Sequence, residues 1–235
     1  MAKGSRGGRR ATTTQTISTT PTPSVSTGTR SYGTMTDTMA QQLRDDVDDN
    51  YTSDVVDAIK LYISKKTDSA GYSYSQNLNY KLDNDMKLNT NEKFIDKNMQ
   101  QGMHDLGNDV VLTRACHDDV LKSLGIQDYS KLTEQQLQSK LVGGTITSKA
   151  YMSFSYDESK NPFLTGSQSG GREVIWKVNA GKNTKVVFGA KSQAEIITNK
   201  GTQYKITNVK YTNKMATPRN SATSKPVVII EAEVV

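Results

Sequence analysis

The sequence is poor in cysteine and contains no long apolar run. A single cysteine, Cys116, among 235 residues excludes an internal disulfide and suits a reducing compartment. No apolar stretch approaches the roughly 18 residues that a membrane-spanning helix needs, so we expect no membrane partner. The N-terminus is basic but runs directly into Thr and Ser, without the apolar middle of a secretory signal peptide. We therefore expect a cytoplasmic protein, one delivered into a host cell without a classical signal peptide, or a virion-associated one.

Apolar residues are also scarce, at 34% of the chain, which indicates that part of the chain stays outside a folded core. Residues 1–36 fit that description, because a Gly/Arg start is followed by many Thr and Ser. They hold five basic residues and no acidic one, which leaves only +1 of the overall charge of +6 for the remainder. We predict a disordered basic tail over residues 1–36 and a single domain over residues 37–235.

The tail carries most of the basic character of the chain. Residues 4–10, with the sequence GSRGGRR, resemble a very short RGG-type RNA-binding segment. The simpler interpretation is a solvated tail that aids solubility or tethers the domain. Because the domain itself is almost neutral, a nucleic-acid partner is expected to bind through residues 1–36 only.

The first half of the domain has a helical pattern. Seven aspartates fall between Asp37 and Asp57, and apolar residues recur at helical spacing from Val55 to Ile63. These features predict helices over about 37–50 and 53–65. Residues 71–91 predict a loop with a short helix, and another helix is expected over about 91–105. Two more helices are predicted further along, over 117–124 and 133–141.

The second half of the domain is dominated by strands. A β-branched run predicts a strand over 110–114, and further strands follow after Gly143-Gly144. They are predicted over 150–154, 173–178, 185–188, 195–197, 203–210 and 227–234. Strands bounded by Gly, Asn and Ser at this spacing indicate a twisted sandwich of two sheets. The fold class is therefore α+β.

Three pieces of this half stand out as candidate site residues. Arg114 ends the first strand, Ser153 lies in a serine-rich strand, and Gln193-Ala194-Glu195 opens a third. On an extended segment Gln193 and Glu195 are two positions apart, so both side chains are predicted to leave the same face.

In this order and strand context, the three pieces resemble the mono-ADP-ribosyltransferases of the Arg–Ser–Glu class. That class includes the clostridial Rho-modifying exoenzymes and the binary actin toxins. The resemblance covers most of residues 40–235 and is strongest from Gly143 onward. It implies N-terminal helices packed on a two-sheet mixed β-sandwich. It also implies that NAD is the co-substrate and that ADP-ribose is transferred to a macromolecule, with release of nicotinamide.

The chemistry that the resemblance implies gives a role to each residue. Cleavage of the nicotinamide–ribose bond builds positive charge on the ribose, and a carboxylate, here Glu195, stabilises that charge. The rigid, permanently charged guanidinium of Arg114 suits the phosphates of a dinucleotide. Ser153 is expected to hold Glu195 through a side-chain hydrogen bond.

Other residues acquire roles by the resemblance alone. Gln193 faces the acceptor, and a glutamine at this position is typical of the branch that modifies asparagine. An amide can both donate to and accept from another amide, so we expect a protein acceptor that is not arginine. Arg172, just before a strand, matches an NAD-contacting arginine of that branch. Phe163 is the candidate aromatic residue for the same NAD site.

Other interpretations of the sequence remain open. One is a catalytically silent structural or phage-particle protein on the same fold, and another is a nucleic-acid-directed protein led by its tail.

Cys116-His117 suggests a nucleophile–base pair, but adjacent side chains point apart and such pairs normally come from distant positions. His104, Cys116, His117 and Asp118 lack the spacing of a metal site, so no metal is expected. No GxGxxG or GxxxxGK pattern is present, so NAD would not bind as in a Rossmann fold.

Overall fold

A computed structural model of the chain describes residues 17–18, 31–67, 71–161, 163–164, 171–217 and 224–235, without the side chains of 17–18 and 46–48. Within these residues the helices are α1 (Asp37–Asp48), α2 (Ser53–Ile63), α3 (Tyr74–Asp83), α4 (Thr90–Gln101), α5 (Asp119–Ser123) and α6 (Glu134–Leu141). The strands are β1 (Ile17–Ser18), β2 (His104–Asp105), β3 (Val110–Cys116), β4 (Thr145–Thr147), β5 (Met152–Ser155), β6 (Val174–Ala180), β7 (Lys185–Phe188), β8 (Glu195–Thr198), β9 (Gln203–Ala216) and β10 (Lys225–Val234).

Side-chain caps define where the helices begin. Capping boxes open α3 at Ser73, α4 at Asn89 and α6 at Thr133, each closed by the residue three positions later. The helix predicted over about 91–105 ends earlier, at Gln101, because Gly102 caps it and His104–Asp105 pairs with β7. The short helix expected within residues 71–91 is the ten-residue α3.

The strands form one hydrogen-bonded order, β1-β4-β9-β10-β6-β3-β5-β8-β7-β2. Among the described strands only β6 and β10 pair in parallel, so the sheet is mixed. The junction between β3 and β5 consists of a single residue pair, Thr113 with Ser155. The strand order therefore divides here into two parts, β1-β4-β9-β10-β6-β3 and β5-β8-β7-β2.

The two parts of the sheet pack against each other. Tyr204 of β9 lies 5.9 Å from the Phe154 ring of β5 and 6.2 Å from the Trp176 ring of β6, measured between ring centroids. Its hydroxyl is 2.6 Å from Oγ1 of Thr198 on β8. The predicted α+β fold with a two-layer mixed sandwich is confirmed, and the single pair at the β3–β5 junction joins its layers.

The helices α2 to α4 cover the outer face of β5, β7 and β8. Tyr62, Leu78 and Ile95 from these helices form a second apolar cluster with Val187 and Ile197. The next residue along β8, Ile196, belongs to the interior of the sandwich instead. Successive side chains of β8 thus point to opposite faces, and both faces are buried.

The folded structure begins before Asp37. Gly33 bridges to Val110 of β3, and Met35 is buried in the main core, although both residues were assigned to the tail from the sequence. Ile17 pairs with Ile146 of β4 at the edge of the sheet. The remainder of the predicted tail, residues 1–16 and 19–30, lies outside the described residues. None of the helices in the described part is long and apolar enough to cross a membrane.

Candidate active site

Three neighbouring strands bring the predicted catalytic side chains together. β5 lies between β3 and β8, and Ser155 at its end is opposite both Thr113 and Glu195. Nη1 of Arg114 donates to the carbonyl oxygen of Ser153 at 2.8 Å. This register places the arginine, the serine and the glutamate on adjacent strands at one end of the sheet.

These residues line a cleft of about 270 Å³ between the sheet and helices α2 and α3. The sheet side of the cleft includes all four residues that were predicted to be catalytic, and the helices add several polar groups. The lining consists of Tyr62, Ile63, Ser75, Gln76, Asn79, Arg114, Ser153, Ala190, Gln193 and Glu195.

The segment before β8 is a turn and not the extended chain predicted from the sequence. Lys191–Gln193 forms a 3₁₀ turn, and Ala194 is left-handed with φ 48° and ψ 42°. The amide N–H of Gln193 donates to the carbonyl oxygen of Ala190 at 3.1 Å, which closes the turn. Gln193 and Glu195 therefore reach the same cleft through the turn and not through strand periodicity.

Backbone groups hold the Glu195 carboxylate in place. Its Oε2 accepts a hydrogen bond from the N–H of Ala190 at 2.8 Å. A Cβ atom at Gly189, directly after β7, would overlap this carboxylate, so a larger residue there would displace it from its present position. A carboxylate fixed in this way is preorganised to stabilise positive charge in the cleft.

Tyr62 is a site residue that sequence reasoning missed, because its helical spacing is typical of a core position. The phenol is buried, lines the cleft beside Ser153 and accepts a hydrogen bond from Nδ2 of Asn79 at 2.9 Å. Burial raises the Tyr62 pKa well above its usual value, and the nearby Glu195 charge adds to that rise. Tyr62 therefore stays neutral and places a phenol in the cleft, whereas the predicted bond from Ser153 to Glu195 stays a prediction.

Ser155 is a second residue that was missed, although its signal was present in the Ser-x-Ser pattern. Its buried hydroxyl lies 2.9 Å from the carbonyl oxygen of Gln193 and 2.7 Å from that of Asp157. A hydroxyl has one proton to donate, so the two carbonyls share this donor. Ser155 ties the Gln193 turn to the end of β5.

Arg172 and Phe163 contact each other, but neither belongs to the described residues that line the cleft. The Arg172 guanidinium lies 4.4 Å from the centroid of the Phe163 ring. Arg172 also forms a hydrogen bond with Nε2 of His117, whose Nδ1 is 2.9 Å from the buried Glu173 carboxylate. The predicted pair of NAD contacts thus forms its own cluster just beyond the C-terminal end of β3, the same end that carries Arg114.

Cys116 and His117 do not form a nucleophile–base pair. Both ring nitrogens of His117 bond to Arg172 and Glu173. Burial raises the pKa of the Cys116 thiol to about 11, against the opposing charges of Arg114 and Arg172. A thiol in this state is a poor nucleophile at neutral pH. Among the described residues, no group of three or more His, Cys, Asp or Glu side chains could hold a metal ion.

Solved structures to which this fold is similar include bacterial toxins. Plx2a, an ADP-ribosyltransferase toxin from Paenibacillus larvae, is 14% identical with a TM-score of 0.60, over 85% of this chain and 96% of that one. The C3 exoenzyme of Clostridium limosum is 16% identical with a TM-score of 0.59, over 88% and 98% of the two chains. The enzymatic component C2-I of the C2 toxin from Clostridium botulinum is 15% identical with a TM-score of 0.62, and only 47% of its length is matched. At such identities the similarity establishes the fold alone.

The sequence itself matches a family model described as ADP-ribosyltransferase exoenzyme over residues 33–235. No curated protein sequence is similar enough to count as a match. The family model covers nearly all of the described domain, including β3, β5 and β8 with their Arg, Ser and Glu side chains. This chain therefore belongs to the ADP-ribosyltransferase exoenzyme family.

Proposed function

We propose that this protein transfers ADP-ribose from NAD to a protein acceptor, with release of nicotinamide. NAD is the co-substrate of ADP-ribosyltransferase toxins. The observation that carries the proposal is the Glu195 carboxylate, fixed by the Ala190 N–H in the same cleft as Arg114. The enzyme would therefore be an NAD–protein mono-ADP-ribosyltransferase, which is a glycosyltransferase.

The cleft offers groups that suit a dinucleotide. It combines one guanidinium and one carboxylate with neutral hydroxyl and amide side chains. Oδ1 of Asn79 is buried and has no hydrogen-bond partner among the described residues, so it can accept from a ligand hydroxyl or amide. Arg114 would hold the phosphates, while the neutral groups would bind the sugars and the nicotinamide amide.

The chemistry follows from the placement of the two charges. Breaking the nicotinamide–ribose bond leaves the electron pair on nicotinamide, which departs neutral, and leaves positive charge on the ribose. Glu195 stabilises this charge, and its position is already fixed before the reaction. The acceptor then bonds to the ribose carbon and loses its proton.

Gln193 is the residue that we propose to face the acceptor. Its backbone is fixed by Ser155 on one side and by the 3₁₀ turn on the other, while its side chain lines the cleft. A neutral amide pairs well with another amide, whereas a guanidinium would favour a carboxylate at this position. We therefore infer a protein acceptor residue other than arginine, with an asparagine-type side chain as the first candidate.

Arg172 and Phe163 are proposed to form a second contact with NAD. Arg172, which carries the cation–π contact to Phe163, lies two residues before β6, and Arg114 of β3 pairs with Trp176 within that strand. A dinucleotide held by Arg114 could extend along this end of β3 and β6 toward Arg172. The prediction is that Arg172→Ala raises KM for NAD more than it lowers kcat.

The acceptor is tested by incubating the protein with labelled NAD and a cell lysate. Labelled proteins that disappear with Glu195→Gln would identify true acceptors, and mass spectrometry would locate the modified residue. Modification of asparagine or another non-arginine residue supports the role of Gln193. Transfer to arginine would show that the acceptor assignment is wrong while leaving the transferase reaction intact.

A further inference from the structure

Helix α1 places the Arg44 guanidinium against the segment 189–195, which leads into β8 and ends at Glu195. Nη1 of Arg44 donates to the carbonyl oxygen of Gly189 at 3.1 Å, across 145 residues of sequence. The same guanidinium lies 4.7 Å from the centroid of the Phe188 ring. Arg44 is partly buried and does not line the described cleft. It therefore contacts this segment from outside the described cleft.

The carbonyl that Arg44 binds belongs to the peptide group that joins Gly189 to Ala190. The N–H of that same peptide group donates to Oε2 of Glu195 at 2.8 Å. A cation on a peptide oxygen polarises the whole amide, and a polarised amide is a stronger N–H donor. Arg44, one peptide group and the Glu195 carboxylate thus form a continuous hydrogen-bonded line.

We propose that Arg44 is a positioning residue for Glu195, which it orients and restrains through the Gly189–Ala190 peptide group. The inference rests on the proposed transferase function, because it assigns Glu195 as the group that stabilises the ribose charge. Because Arg44 does not line the described cleft, it would affect the chemical step and not the binding of NAD.

Side-chain contacts with other parts of the protein hold helix α1 in place, and they thereby fix the position from which Arg44 reaches the carbonyl of Gly189. Asp37 in its first turn pairs with Lys160 at 2.5 Å. Further along the helix, Oε1 of Gln41 accepts from Nζ of Lys191 at 2.5 Å in an exposed contact. This second contact also joins α1 to the segment 189–195. It involves a flexible lysine side chain and not the peptide group that holds Glu195. Gln41 is therefore the matched control for Arg44.

The test compares Arg44→Ala, Arg44→Lys and Gln41→Ala with the wild type. We expect Arg44→Ala to lower kcat for nicotinamide release about 10- to 100-fold with KM for NAD unchanged, because a misplaced catalytic group loses rate. Arg44→Lys keeps a cation on the carbonyl and should recover part of the loss. Gln41→Ala should keep wild-type kcat, and thermal melting of each variant checks that it is folded.

A second measurement does not depend on activity. Hydrogen exchange of the Ala190 amide, followed by NMR, should become at least about 10-fold faster in Arg44→Ala and stay unchanged in Gln41→Ala. Wild-type exchange in Arg44→Ala would overturn the proposal, even if the wild type released no nicotinamide. A rise in KM with unchanged kcat would also overturn it, because Arg44 would then be a substrate contact. Lack of nicotinamide release by the wild type would count against the proposed function alone.

Discussion

The hydroxyl of Ser155 lies 2.9 Å from the carbonyl oxygen of Gln193, and this contact ties the end of β5 to the turn before β8. Ser155 is also the residue at which β5 meets both β3 and β8. This one residue therefore links the strand that supplies Arg114, through its backbone, to the turn before the strand that supplies Glu195, through its hydroxyl. The geometry of the site depends on it even though it does not face the cleft.

Replacing Ser155 with Ala should lower both stability and kcat. The change leaves the Gln193 carbonyl without the Ser155 donor, whereas the Asp157 carbonyl keeps the Lys160 N–H, so the loss should be about 1 kcal/mol of unfolding free energy. Urea denaturation measures this loss, and nicotinamide release measures the rate. Ser139→Ala is the control, because that exposed hydroxyl bonds only within α6. An unchanged kcat in folded Ser155→Ala would show that the Gln193 turn holds its shape without it.

Gly189→Ala should nearly abolish activity without unfolding the protein. The added Cβ would push the Glu195 carboxylate away from the Ala190 N–H, and a displacement near 1 Å is worth about 100-fold in rate. Gly33→Ala is the matched control, since a Cβ there meets nothing within 4 Å. Wild-type kcat in Gly189→Ala would contradict the carboxylate position described here.

Tyr62→Phe should lower kcat/KM about 10-fold with little loss of stability. The ring still fills its apolar site, but the hydroxyl that accepts from Asn79 in the cleft is lost. A tenfold change in kcat/KM corresponds to about 1.4 kcal/mol. Tyr74→Phe, in the same apolar cluster, controls for the general effect of removing a phenol. If the two variants were equally active, the Tyr62 hydroxyl would have no role in the reaction.

Protonation of Asp118 at low pH should lower the free energy of unfolding. Burial raises the pKa of this carboxyl, but hydrogen bonds from Lys122 and Lys225 outweigh the burial and leave the pKa below its usual value. A carboxyl with a lowered folded pKa contributes stability that is present above its unfolded pKa, near 4, and is lost as pH falls through the folded value. Unfolding free energies at pH 7 and pH 3 should therefore differ less in Asp118→Asn than in the wild type. An equal difference would show that Asp118 adds no pH dependence.

Much of the site could be predicted from sequence because its residues are local features of strands. Arg114, Ser153 and Glu195 each stand in a short apolar run, and the pairing of β3, β5 and β8 brings them together. The sandwich followed from the same strand pattern. The family resemblance supplied the order in which these pieces occur.

The remaining features depend on contacts that strand and helix patterns do not encode. Ala194 adopts a left-handed conformation without being glycine, so nothing in the local sequence indicated a turn at Gln193. Arg44 reaches its partner across 145 residues. Tyr62 has the spacing of an ordinary core residue, and only its neighbours show that it belongs to the site. The start of the fold before Asp37 was missed because the buried Met35 stands among polar residues.

Nicotinamide release from NAD by the purified protein, measured beside Glu195→Gln, is the most direct test of the transferase assignment. The substitution keeps the size of the side chain and removes the negative charge that the ribose requires. We expect steady release by the wild type and a loss of at least about 100-fold in the variant, with both proteins equally folded. Equal release by both would contradict the role of Glu195. Lack of release by the wild type, with a lysate supplied as acceptor, would instead support a catalytically silent member of the family.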